Sequence, residues 1–284
     1  MPRTTQSTNA MLGYPPDARL LIMNIDDFGM CHSINEATIR AIKEGLATSC
    51  SIMAPCPWSL HGLHLLQENP DITFGVHLTV VSEAPYYRWS SITPSHKVSS
   101  LIDEDGYFYA EHRVNKLLER ADLAELETEF RVQIEFILSS GLKSTHLDSH
   151  CSIHTRREDI FDLTFGLARE YGLAMRVGRK QLIEKLQQQG YPTDDHDFLD
   201  SYLLETSDKL SSYLTLLRKL PAGLTEWGVH PAIANAELKA VMPTWDVREA
   251  DFHFLMSQEA HDVVSEEGII IIDHCPLQEL WRGK

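Results

Sequence analysis

Leu20-Leu21-Ile22-Met23-Asn24-Ile25-Asp26-Asp27-Phe28-Gly29 is an apolar run that ends in two adjacent carboxylates and a glycine. Apolar residues bounded by turn chemistry suit a strand covered on both faces, as in a parallel sheet, and Gly29 permits a sharp exit. The two acids then fall at the C-terminal end of that strand. In α/β barrels and doubly wound sheets this end carries the sites, because the loops after the strands converge there. Neighbouring side chains on a strand point in different directions, so Asp26 and Asp27 can hold different tasks, one on a metal and one on a water. Direction alone leaves open which acid does which. The competing reading is a plain Asp-Asp-Phe-Gly turn that caps the following helix.

Beyond Gly29, Ser33-Ile34-Asn35-Glu36 has the spacing of a capping box and opens a helix that stops at Gly45. Ser49 to Met53 predicts a second strand, Leu60 to Glu68 a short helix, and Thr73 to Leu78 a third strand. Thr79 to Tyr109 is a long aperiodic stretch rich in Ser, Pro, Tyr and Trp, and loops of that length are usually functional or disordered. Val114 to Ser140 is helical with a break near Ala121-Asp122, and Gly141 closes it before a strand over Ser144 to Ser149. The pattern continues with a helix over Glu158 to Tyr171, a strand over Ala174 to Val177, and helices over Gln181 to Gln189 and Ser207 to Lys219. Leu224 to Val229 and Gly268 to Ile272 predict the last strands, with helical pattern from Trp245 to Val264 between them. Repeated βα units at this density imply an α/β fold whose mostly parallel sheet is closed or nearly closed into a barrel.

With 284 residues and 43% hydrophobic content, a single domain over 1–284 is expected. The excess of 41 acidic over 25 basic residues, a formal charge of -16, argues against nucleic acid or an anionic membrane surface as partner. A neutral or cationic small substrate suits it better. No apolar run approaches the roughly 20 residues of a membrane span. Met1 to Asp17 is polar, carries Pro15-Pro16 and reads as a flexible N-terminal arm rather than a signal peptide, so a cytoplasmic protein is expected. Cys31, Cys50, Cys56, Cys151 and Cys275 are odd in number and scattered, the pattern of reduced thiols.

Three further predicted strand ends carry histidine: Gly75-Val76-His77-Leu78-Thr79, Thr145-His146-Leu147-Asp148-Ser149-His150, and Val229-His230-Pro231. A lone histidine on a strand is more often a hydrogen-bonded structural residue than a ligand. Acids and histidines ending four strands of one parallel sheet, however, gather at one rim, which packing alone does not explain. One carboxylate with two imidazoles suits zinc or another divalent cation. Asp27, His77 and His150 are the expected ligands of one divalent metal ion. Asp26 would accept the proton of a metal-activated water and His230 would protonate the leaving group. Such a set hydrolyses a carbonyl compound through a tetrahedral intermediate. Tyr86, Tyr87, Arg88 and Trp89 suit a sugar-stacking platform in the long loop and, equally, loop packing or a dimer contact, and Arg88 and Arg176 are candidates to orient a carboxylate or the substrate. Cys151 reads as a small buried residue beside His150.

Asn24-Ile25-Asp26-Asp27-Phe28-Gly29, the histidine motifs above, Thr48-Ser49-Cys50-Ser51-Ile52-Met53, Pro57-Trp58 and Tyr87-Arg88-Trp89 together resemble the motifs of YdjC-like carbohydrate deacetylases, including the chitooligosaccharide and hopanoid-associated types. The resemblance runs in order over nearly the whole chain. It implies a distorted or incomplete (β/α) barrel, a divalent metal (magnesium or zinc), a homodimer, and removal of an acetyl group from an N-acetylated sugar. It also implies Asp26 as base, Asp27, His77 and His150 as metal ligands and His230 as proton donor. Two positions depart from the family pattern: Cys151-Ser152-Ile153 intervenes before His154, and the last strand ends in Asp273-His274 where an arginine is expected nearby. The rival readings are a phosphoesterase on the same metal, for which no Gly-rich phosphate cradle is present, and a catalytically silent carbohydrate-binding protein, which would need neither base nor acid.

Overall fold

The structure is a computed structural model describing residues 7–203 and 208–284. The strands are β1 (Arg19–Phe28), β2 (Ser49–Ile52), β3 (Phe74–Leu78), β4 (Val81–Ser82), β5 (Tyr109–Ala110), β6 (His146–Ser149), β7 (Ala174–Met175), β8 (Leu199–Asp200), β9 (Gly223–Val229) and β10 (Ile270–Ile272). The main sheet runs β7-β6-β3-β2-β1-β9-β8 with every pairing parallel. β1 is its centre. One edge of β1 pairs with β9 from Arg19↔Gly223 to Ile25↔Val229. Its N-terminal half also pairs with β10 over Leu20 to Ile22, and its C-terminal half with β2 from Asn24 onward. Every β1 residue after Arg19 is buried, as an unbroken apolar run requires.

The sheet curls without closing between the two-residue strands β7 and β8. Gly178, after β7, and Phe198, just before β8, meet across the gap, where Phe198 N donates to Gly178 O at 3.0 Å. The incomplete, mostly parallel barrel expected from the sequence is therefore the observed fold. Phe198 fits this seam because Gly228 lacks a side chain: a Cβ there would lie 2.2 Å from the Phe198 ring.

Helix breaks follow the capping residues. The expected interruption near Ala121-Asp122 separates Val114–Arg120 from Leu123–Leu138, where the Asp122 carboxylate accepts from Ala124 N and Glu125 N. The Trp245 to Val264 pattern likewise splits into Trp245–Leu255 and Gln258–Glu266, with Ser257 capping the second. The helix expected from Ser207 runs over Lys209–Arg218, and Ser207 lies outside the described residues.

The Ser33–Glu36 capping box does not form: the helix His32–Lys43 has Cys31 at its N-cap and no side-chain cap bond. Asn35 works elsewhere, its oxygen accepting from Gly29 N at 2.7 Å and its amide donating to Trp58 O at 3.1 Å. This ties the exit of β1 to the next βα loop. Residues 7 to 17 are not the flexible arm expected. Thr8–Met11 is a helical turn with Thr8 and Asn9 buried, Thr8 Oγ1 donating to Thr193 O and the Asn9 amide to Ala18 O. Residues 1 to 6 of that arm lie outside the described residues.

The Thr79 to Tyr109 stretch is ordered around the parallel pair β4–β5 and the buried Trp89, whose indole donates to Val81 O. The Glu129 carboxylate accepts from Ile92 N and Thr93 N, fixing its far side. No helix among the described residues is long and apolar enough to cross a membrane.

Candidate active site

Strict alternation would send Asp26 and Asp27 to opposite sides of β1. Instead the register to β2 shifts between Ile25 and Phe28, and Asp27 adopts φ 69°. A bulge of this kind re-aims a side chain, and Asp is one of the few residue types that tolerate the left-handed region. Both carboxylates consequently line one cavity of about 360 Å³ at the C-terminal rim of the sheet.

Asp27, His77 from the end of β3 and His150 just after β6 converge, with one donor atom from each lying within 4.8 Å of the others. His150 Nδ1 is 3.0 Å and His77 Nε2 3.4 Å from Asp27 Oδ1. The other ring nitrogen of His77 meets Asp148 Oδ1 at 2.8 Å, and Asp148 also accepts from Ser51 Oγ at 2.7 Å. The far oxygen of Asp27 accepts from Arg248 Nη2 at 2.7 Å. Burial disfavours an ionised Asp27, yet Arg248 and His150 hold it well below the usual carboxylate range. Burial likewise pushes the imidazoles toward neutrality, but Asp148 and Asp27 raise His77 to about 9, and the neighbouring Cys151 and Asp27 lift His150 well above its usual value. These buried carboxylates favour positive charge at this point, whether on the rings or on a cation that replaces their protons. One carboxylate and two imidazoles, one of them braced by a second carboxylate, form a donor set that fits a divalent cation.

Asp26 is held differently. Arg176 grips it with a two-pronged fork, Nη1 to Oδ2 and Nη2 to Oδ1 both at 2.7 Å, and Asn24 donates to Oδ1 at 2.8 Å. Against the cost of burial, this fork keeps Asp26 ionised far below the ordinary range. His230, directly after β9, places Nε2 4.0 Å from Asp26 Oδ2. Its Nδ1 meets Ser201 Oγ at 2.8 Å, its backbone N–H donates to Asp251 Oδ2 at 2.8 Å, and the Tyr202 ring packs on it at 4.6 Å. Asp251 is itself buried and accepts from Tyr213 Oη at 2.6 Å.

Five of the sequence-predicted site residues, Asp26, Asp27, His77, His150 and His230, line the same cavity. The three expected substrate contacts do not. Arg176 lies beneath the acids, bonded also to Glu226 and Asp148 and stacked on Phe198 at 4.3 Å. Arg88 pairs with Asp103 and donates to Phe108 O. Trp89 is buried, its ring 6.3 Å from that of His150, so it backs a candidate ligand rather than a sugar. Tyr87 bonds Met30 O, leaving Tyr86 as the exposed aromatic of the platform. Sequence reasoning missed Arg248, Glu83, Tyr202 and Phe198. Arg248 comes from the helix Trp245–Leu255 and not from the last strand. His274 stacks on His146 at 3.5 Å away from the cavity, and His154 is a structural residue between Ser149 Oγ and Arg176 O.

Residues 20–266 match the family model described as YdjC-like protein. The chain belongs to the YdjC-like family. Among its relatives, it is 33% identical over 258 residues to the carbohydrate deacetylase of Thermus thermophilus, covering 87% of this chain and 90% of that one. It is 28% identical to the carbohydrate deacetylase of Thermoanaerobacter pseudethanolicus, covering 92% of this chain and all of that one. A crystal structure from Enterococcus faecalis V583, of a protein named for cellobiose-phosphate cleavage, superposes with a TM-score of 0.78 at 26% identity. It matches 90% of this YdjC-like chain and 98% of its own.

Proposed function

We propose that this YdjC-like chain is a metal-dependent carbohydrate deacetylase that hydrolyses the N-acetyl group of an N-acetylglucosamine-containing saccharide or a related N-acetylated small molecule. The observation that carries the reading is the pairing of two differently held acids. Asp26, clamped by Arg176 with His230 4.0 Å away, faces the same cavity as the Asp27–His77–His150 set. A divalent ion held by Asp27, His77 and His150 would acidify a bound water and polarise the acetamide carbonyl. Asp26, held as the carboxylate and aimed by its fork, takes the proton from the attacking water. His230, steadied by Ser201 and Asp251, gives a proton to the departing sugar amine. The names of the two deacetylase relatives support the same chemistry.

The cellobiose-phosphate name of the structural relative supports a saccharide ligand but not glycosidic cleavage here. Asp26 and Asp27, both held ionised by arginines, do not supply the protonated carboxyl that retaining and inverting glycosidases need. Nor does the cavity favour a phosphoester. Arg176 and Arg248 are occupied by carboxylates, and Arg156 is the one arginine or lysine among its described lining residues. The composition and length fit a single cytoplasmic domain, and the family resemblance implies a homodimer.

The test is acetate release from N,N'-diacetylchitobiose by protein stripped with chelator and reloaded with zinc, magnesium or manganese. Release should return with metal. No release with any of the three overturns the reading.

A further inference from the structure

The two candidate metal-binding imidazoles face Asp27 through opposite nitrogens, His77 through Nε2 and His150 through Nδ1. For His77 the reason is visible, since Asp148 takes Nδ1 at 2.8 Å and leaves Nε2 to the site. His150 Nε2 is buried and lacks a hydrogen bond of good geometry among the described residues; its carboxylate neighbour is Glu83 Oε2 at 3.2 Å. Glu83 follows β4 at the start of the tight Ala84–Tyr87 bridge, and its side chain is 11% exposed. Its other oxygen lies 3.3 Å from Arg248 Nη2, the same nitrogen that holds Asp27 Oδ2 at 2.7 Å. The contacts close a ring: Asp27 to Arg248, Arg248 to Glu83, Glu83 to His150, and His150 back to Asp27. Nothing in the proposed reaction uses Glu83, and burying a carboxylate is costly unless it is paired.

We infer that Glu83 is the positioning residue for His150, fixing the proton on Nε2 so that the Nδ1 lone pair faces the cation. It does for His150 what Asp148 does for His77. The inference rests on the metal reading of the site. Carboxylates placed behind ligating imidazoles set the tautomer and raise ligand basicity, and losing one typically weakens metal affinity about 10–100-fold. Through Arg248 the same residue also restrains the orientation of the Asp27 carboxylate.

The experiment measures zinc affinity by chelator competition in the full chain, together with the 15N shifts of the His150 ring. Glu83→Ala should weaken zinc binding roughly 10–100-fold, and Glu83→Gln, which keeps an acceptor oxygen, should weaken it less. In the wild-type zinc form His150 should show a protonated Nε2 and a metal-shifted Nδ1, with that pattern blurred or reversed in Glu83→Ala. Wild-type affinity in both variants overturns the role of Glu83 while leaving the metal reading intact. If Glu83→Ala does not fold, Glu83→Gln alone decides on the same criterion. A wild-type protein that binds none of zinc, magnesium or manganese fails one step earlier and overturns both.

Discussion

Exchanging Asp26 for Asn tests the proposed division of roles between a proton acceptor and a metal ligand at adjacent positions. Arg176 gathers Asp26, Asp148 and Glu226 on one guanidinium at 2.7, 3.0 and 2.6 Å. Asp26→Asn removes one negative charge from three and leaves Arg176 paired with two. One prong of the fork is lost and the other becomes a neutral bond, a cost of about 1–2 kcal/mol, or a few degrees in melting temperature. Catalysis should suffer far more, because a positioned base contributes about 10²–10⁴-fold, equivalent to roughly 2.7–5.5 kcal/mol of barrier. Asp26→Asn should therefore fold, bind zinc like the wild type and lose kcat with KM little changed. Asp27→Asn should instead lose zinc affinity, and its rate should recover in part with excess metal. Acetate release followed across a zinc titration of both variants separates them. An Asp26→Asn protein that keeps kcat within about threefold, or whose rate excess zinc restores, refutes the assignment of roles.

Ser201→Ala removes the partner of His230 Nδ1 and should lower kcat roughly five- to tenfold without changing zinc content, as steady-state kinetics with metal analysis would show. Gly75→Ala would bring a Cβ to 2.4 Å from His146 Nε2, and His146 cannot retreat because it is stacked on His274. A loss of about 1–3 kcal/mol or more follows, measurable by denaturant unfolding. Asp194 is buried near the charge of Glu226 and is raised to about 7 from 3.8, so the folded state binds its proton more tightly than the unfolded chain does. Its contribution to stability is full below about pH 3.8 and is lost as pH rises through about 7. Asp194→Asn should consequently be the more stable protein above pH 7, by no more than about 4 kcal/mol, with the advantage shrinking toward pH 4 in paired melting curves.

The strand ends were legible because chemistry and hydropathy change at the same residue. Leu20 to Ile25 is apolar except for Asn24 and Asp26 begins the site, while His77, His150 and His230 stand at or just after the ends of β3, β6 and β9. Other parts left no local trace. β8 is two residues long, too short for any period, yet its neighbours Phe198 and Tyr202 wall the cavity. The bulge at Asp27 is a relation between β1 and β2 and is invisible in either alone. Arg248 sits in a helix, where a charged residue reads as solvated, and only its burial against Asp27 reveals its role. Arg88 and Trp89 were ambiguous for the converse reason: residues suited to holding a sugar are equally suited to building the loop that backs His150. Ser33 and Glu36 carried a valid capping signal that Asn35 overrode by serving two loops at once.

The left-handed backbone at Asp27 also narrows how this site can change by mutation. At φ 69° a branched or long side chain is strained whatever its chemistry, while Asp, Asn and Gly are accommodated. Glutamate, the obvious chemical substitute for an acidic ligand, is therefore poorly placed to replace it. Asparagine and glycine each lie one nucleotide change from an aspartate codon, and both suit the bend while giving up the charge. Of the replacements one nucleotide away, the two that the bend accepts give up the charge of the proposed metal ligand, so a lineage drifting here would lose that charge before it lost the local backbone.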